Sequence, residues 1–169
     1  MNDQAPPKGN FNYPATYRIG CGRIAELAVA CGDVGIFRPL VVTDPGVANL
    51  PWFSRVLESL RVPSLDYGVF SDVHENPRPT DVERGVEIYR EGRRDGIILV
   101  GGGSPMDVGK CIALVVDNPG TVLDYEDVGD NYKRADPARI PPMIAVPSTA
   151  GTGSEVGRAA IIVDPATHA

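Results

Sequence analysis

Gly101-Gly102-Gly103-Ser104-Pro105-Met106-Asp107-Val108-Gly109-Lys110 is the segment whose reading decides the fold. Before it, Ile97-Ile98-Leu99-Val100 is an unbroken apolar run of strand length; after it, Val108, Cys111, Ile112 and Val115 recur at helical spacing. The segment is therefore read as a strand-to-helix corner. Ser104 suits the helix cap, Pro105 the first helical position and Asp107 the return arm of a capping box. Consecutive glycines without Cβ atoms also bring backbone amides to the positive end of a helix, where phosphate groups bind. The glycines alone read equally as a tight turn before a well-capped helix. Gly101-x-Gly103 lacks the third glycine of the G-x-G-x-x-G fingerprint, and Gly109-Lys110 lacks both the first glycine and the hydroxyl residue of a P-loop.

Outward from this corner, elements alternate. Residues 15–19 read as a strand, and Ile24, Leu27, Ala28 and Cys31 as a helix stripe stopped at Gly32. Residues 40–43 form an apolar strand ending in Asp44-Pro45-Gly46, followed by a helix over 48–60 and a strand over 64–70. A proline-broken loop, residues 71–79, leads to a helix with Thr80 and Glu83 as its capping box and Val82, Val86 and Tyr89 inward. Residues 95–100 return to the glycine corner. The polar stretch 118–136 holds a short helix near 121–126 whose acidic residues read as a solvated face. Residues 143–146 are a further strand, followed by the hydroxyl-rich loop Ser148 to Glu155, and 158–163 read as a last strand. Strands alternating with helices over short turns argue for an α/β fold, a parallel sheet with helices on both faces.

The corner motif together with Pro147-Ser148-Thr149-Ala150-Gly151-Thr152-Gly153-Ser154-Glu155 resembles the iron-containing alcohol dehydrogenase family, from about Tyr17 to the end of the chain. The resemblance implies a Rossmann-like domain over residues 15–169 that binds NAD; residues 1–14, polar and proline-rich, read as a loose arm before it. It places Gly101, Gly102, Gly103 and Ser104 on the pyrophosphate, Asp44 and Asn76 on the adenosine side, and Ser148, Thr149 and Thr152 towards the nicotinamide. Asp107 borders the reaction cleft as the catalytic candidate, and Lys110 supports the loop. On its own, Asp44-Pro45-Gly46 reads more readily as a turn. The resemblance gives Asp44 the ribose hydroxyls and so favours NAD over NADP. Two positions depart from the family pattern: Ser148 replaces a threonine and keeps the hydroxyl, and Gly157 stands where threonine is common.

Composition fits one soluble domain: 169 residues, 43% apolar and 22% charged, with 19 glycines and 16 prolines. A net charge of −6 argues against nucleic acid or an acidic membrane as partner. No apolar run reaches membrane-spanning length and no signal peptide opens the chain, so a cytoplasmic address is expected. Cys21, Cys31 and Cys111 are scattered and odd in number, which reads as reduced thiols. His74 lies alone in a charged loop and reads as a solvated surface residue.

The family uses a divalent metal, usually iron, held by one aspartate and three histidines of a helical C-terminal domain. Those ligands would lie beyond Ala169, and no residue here is assigned to a metal. The expected function is hydride transfer between an alcohol and aldehyde pair and NAD, with this chain supplying the cofactor half and a homodimer or larger assembly as its setting. The alternatives are a non-catalytic dinucleotide-binding module and a glycerol-dehydrogenase-like relative.

Overall fold

The computed structural model describes residues 9–11 and 15–166. Four parallel strands form the central sheet: β3 (Pro39–Val42), β4 (Gly68–Phe70), β5 (Gly96–Gly101) and β6 (Met143–Pro147), in the order β4-β3-β5-β6. Val42 pairs with Phe70 on one side and Leu99 on the other, and Val100 pairs with Val146. A separate two-stranded antiparallel sheet joins β1 (Gly9–Phe11) to β2 (Tyr17–Ile19). Part of the expected loose arm is thus strand; the rest of it, residues 1–8 and 12–14, lies outside the described residues. The strand expected over 15–19 joins this small sheet and not the parallel one.

The helices are α1 (Leu27–Asp33), α2 (Pro45–Ala48), α3 (Phe53–Ser59), α4 (Pro79–Glu91) and α5 (Gly103–Val115). They cover both faces of the sheet, because successive strand residues point to opposite sides. Leu40, Val42, Ile97 and Leu99 join Val82, Val86, Val108 and Ile112 of α4 and α5 in one core cluster. Val41, Ile98 and Val100 join Leu27, Cys31, Val47, Phe53 and Val56 in the other. β3 and β5 are buried along their whole length. That explains why they read as continuous apolar runs with no polar alternation.

Several local expectations are corrected. The helix expected over 48–60 is two helices, broken where Pro51 cannot donate within a continuing helix. The strand expected over 64–70 forms only at Gly68–Phe70. Residues 158–163 form no strand: Ile161 donates to Asp107 and Val163 to Pro77, two isolated bonds in place of a ladder. The apolar alternation there is real, with Ala160 and Ile162 against the core and Ile161 exposed. Helix α4 starts at Pro79, not at Thr80. Asp81 Oδ2 accepts from the Arg78 amide at 2.9 Å. His74 is exposed as expected, but its Nδ1 lies 2.7 Å from Oδ1 of the buried Asp81. Asp124 is no free acid either: it accepts from the Thr121 amide at 2.7 Å and from its hydroxyl at 3.0 Å, which lowers its pKa.

All three cysteines are free thiols. Burial pushes the Cys31 thiol up to about 11 and the Cys111 thiol up to about 12, so both stay protonated at neutral pH. The thiolate is the reactive form, and Cys21 is exposed. Alkylation of the native protein followed by peptide mass mapping is expected to label Cys21 first, with Cys31 and Cys111 labelled only after unfolding. Labelling of Cys111 as fast as Cys21 would contradict the packing of α5 against the sheet.

Candidate functional site

The sheet order creates a switch point. From β3 the chain moves outward to β4, then returns to place β5 on the other side of β3. The loops leaving the carboxyl ends of β3 and β5 therefore diverge and leave a crevice, the usual ligand position in open α/β sheets. Asp44 follows β3 and Gly101-Gly102 closes β5.

These residues touch. A Cβ placed on Gly101 would stand 3.2 Å from Asp44 Oδ2 and 2.5 Å from Pro105 Cγ, and Gly101 has φ +142°. No side chain fits that conformation in that space, so glycine is required. Asp44 Oδ1 caps α2 by accepting from the Val47 amide at 2.9 Å, which leaves Oδ2 beside Gly101.

Helix α5 begins two residues earlier than the capping pattern suggested, with Gly102 as its N-cap. Ser104 does not cap: its hydroxyl donates to the Glu75 carbonyl at 2.7 Å. The first-turn amides of Gly103 and Ser104 have no intrahelical acceptor, and Pro105 brings none. The corner thus presents donors and the positive helix end together, as anion binding requires.

The second loop lies against the first. The Ser148 amide donates to the Gly101 carbonyl at 2.8 Å, carrying the β5–β6 ladder one bond past the strands. A Cβ on Gly102 would be 3.3 Å from Thr149 Oγ1, and one on Gly103 would be 3.3 Å from Thr152 Cγ2. Both threonines and Ser148 are exposed, so their hydroxyls remain open to a ligand. On the other flank, the loop 71–79 is tied down twice: Ser104 holds the Glu75 carbonyl and the Val163 amide holds the Pro77 carbonyl at 2.7 Å. Asn76 stands exposed between these two anchors. Asp44, Ser148, Thr149 and Thr152 therefore lie beside the glycine corner, and Asn76 follows the residue that Ser104 holds.

Asp107 is the exception. Its side chain is 11% exposed, and both carboxylate oxygens are occupied. Oδ1 takes the Ser154 hydroxyl and Lys110 Nζ, the latter at 3.0 Å; Oδ2 takes the Ile161 amide at 3.0 Å. It does not complete a capping box, and both its oxygens are committed to partners within the chain. Lys110 supports the loop as expected, through Ser154, Gly157 and Ala159. The role of Ser154 went unread because its partner is 47 residues away in sequence. Among the described residues no group of three or more His, Cys, Asp or Glu could hold a metal ion. No described helix is long and apolar enough to cross a membrane.

A protein-family model for iron-containing alcohol dehydrogenase matches residues 14–169. The chain is similar to choline dehydrogenase of Bacillus subtilis (strain 168), 38% identical over 154 residues, which are 91% of this chain and 38% of that protein. Its fold is similar to the crystal structure of 1,3-propanediol oxidoreductase, with TM-score 0.79 and 32% identity over 99% of this chain and 41% of that one. It is also similar to sulfoacetaldehyde reductase from Bifidobacterium kashiwanohense in complex with NAD+, with TM-score 0.77 and 29% identity over 89% of this chain and 38% of that one. The chain spans about two fifths of the length of these proteins. With both glycine loops inside the matched residues, the chain belongs to the iron-containing alcohol dehydrogenase family.

Proposed function

We propose that residues 15–169 are the NAD-binding part of an oxidoreductase that passes a hydride between a small alcohol and its aldehyde. The observation that carries this reading is the meeting of Asp44, the glycine corner and the Ser148–Thr152 loop at one switch point of the sheet. The amides of Gly102, Gly103 and Ser104 hold the pyrophosphate, and Gly101 makes the turn that aims them. Asp44 accepts from the adenosine ribose and Asn76 borders the adenine side. Ser148, Thr149 and Thr152 face the nicotinamide half. The groove between the loops fits the group, since side chains at Gly102 or Gly103 would fill it.

NAD supplies the ring that accepts or returns the hydride. This chain's own residues bind it, orient it and wall off one side from water. The described residues do not fit the metal that the family name implies, so no metal step is assigned to them. In this reading the metal ligands and most substrate contacts come from outside the described residues. The NAD+ named in the reductase complex supports the choice of cofactor. The unpaired thiols support a reducing, cytoplasmic setting, and a homodimer or larger homo-oligomer remains part of the proposal.

Asp44→Gly tests the ribose contact with little cost to the fold, because glycine caps a helix within a few tenths of a kcal/mol of aspartate. The unsubstituted protein is expected to bind NAD+ more tightly than NADP+. The variant should lose most of that preference, about tenfold, as the repulsion between the carboxylate and a 2′-phosphate disappears. Cofactor titrations of both proteins check it. An unchanged ratio would remove Asp44 from the ribose.

A further inference from the structure

We infer that Asp107 and Lys110 are positioning residues: this buried pair on α5 fixes the Ser148–Gly157 loop over the glycine corner and so sets the nicotinamide half of the site. The inference rests on the dinucleotide reading above. The two residues stand one helical turn apart, with side chains only 11% and 12% exposed. Five oxygens surround Lys110 Nζ: Asp107 Oδ1 at 3.0 Å, Ser154 Oγ at 2.9 Å, the Ser154 carbonyl at 3.0 Å, the Gly157 carbonyl at 3.2 Å and the Ala159 carbonyl. An ammonium has three protons and no acceptor, so here it acts as a cation in an oxygen cage. Asp107 closes the cage from the other side through the Ser154 hydroxyl and the Ile161 amide.

Residues 148–166 form no helix or strand to hold themselves. Their internal bonds are local: Val156 and Gly157 amides to the Gly153 carbonyl at 3.0 Å, and the Ser154 amide to Thr152 Oγ1 at 3.3 Å. Gly151 and Gly153, at φ +143° and +65°, flank Thr152 and give the loop turns that no side-chain-bearing residue adopts readily. Such a loop takes its place from what it is tied to. Single backbone bonds hold it at Ser148 to Gly101 and at Val163 to Pro77, but between those ends the clustered polar tie is to α5, the same helix whose first turn presents the pyrophosphate amides. One rigid helix thus sets the distance between the phosphate donors at its N-terminus and the Thr149 and Thr152 hydroxyls facing it. Removing one partner of a buried pair leaves an uncompensated charge, and the loop must move to hydrate it.

A mononucleotide that reaches only the adenosine and phosphate positions should not sense the clasp; a dinucleotide should. Lys110→Met is compared with the unsubstituted protein in titrations with ADP and with NAD+, and amide hydrogen exchange is followed over residues 148–163 without ligand. The expected result is faster exchange confined to that segment and NAD+ affinity lowered about tenfold, with ADP affinity within about twofold, because only preorganisation of one loop is lost. Ser154→Ala keeps both charges and deletes one hydroxyl, so it serves even where Lys110→Met folds poorly; the same pattern is expected at about threefold. Equal losses for ADP and NAD+, or unchanged exchange in both variants, would overturn the inference while leaving the dinucleotide reading intact. Failure of the unsubstituted protein to bind either nucleotide would overturn that reading and, with it, this one.

Discussion

Gly102→Val is expected to abolish NAD+ binding, by about a hundredfold or more, while leaving the domain folded. The separation of the two effects comes from the backbone. Gly102 has φ −88° and ψ −155°, an extended conformation open to any residue. Valine there costs only the difference between a fair and a poor N-cap, about 1 kcal/mol. Its Cβ would point into the gap between the two loops, 3.3 Å from Thr149 Oγ1, and its methyl groups would fill the space assigned to the pyrophosphate. Gly101 would make a poorer probe, since φ +142° and the contact with Pro105 tie any substitution there to stability. Titration with NAD+ alongside a circular dichroism melt checks the expectation. Retained binding would move the pyrophosphate elsewhere; a lost melt would mean that Gly102 serves the fold.

Gly85→Val is expected to cost the fold a large share of its stability. Gly85 lies in α4 where it crosses α5, and a Cβ there would stand 2.2 Å from Ile112 Cδ1, 2.8 Å from Ile112 Cγ1 and 3.3 Å from Phe70 Cε1. Ile112 is fully buried and Phe70 nearly so, so neither has room to turn away. Overpacking of this kind costs about 2–3 kcal/mol, more than the roughly 1 kcal/mol by which glycine weakens a helix relative to alanine. A lower denaturation midpoint with an unchanged slope is the expected reading. A midpoint equal to or above the parent's would mean that α4 and α5 do not approach so closely. The contact also bears on the site, because α4 packing helps set where the N-terminus of α5 points.

Residues buried by sheet position were legible in the sequence. The runs at Leu40 and Ile97 lie between two helical layers, and a strand covered on both faces has no polar positions to interrupt its reading. The two glycine loops were legible as well, since their composition is set by close backbone approach. The errors arose wherever a local pattern had a distant owner. Ser104 and Asp107 have the spacing of a capping box, yet Glu75 takes one and Ser154 with Ile161 takes the other. Thr80 and Glu83 gave the same false signal two residues from the real start at Arg78 and Asp81. Residues 158–163 alternate as a strand does because one face meets the core, but Asp107 and Pro77 supply the bonds that a neighbouring strand would have made. Spacing reports what a residue is able to do next to its neighbours; it carries no information on partners brought close by the fold.

The most direct test of the account is where NAD+ touches the chain. Backbone amide shifts of nitrogen-labelled protein, followed during titration with NAD+, report each contacted residue separately. The account predicts the largest changes at Gly102, Gly103 and Ser104, with further changes at Asp44, Thr149 and Thr152 across the crevice between β3 and β5. Saturable binding whose shifts cluster away from that crevice, or no binding at all, would contradict it.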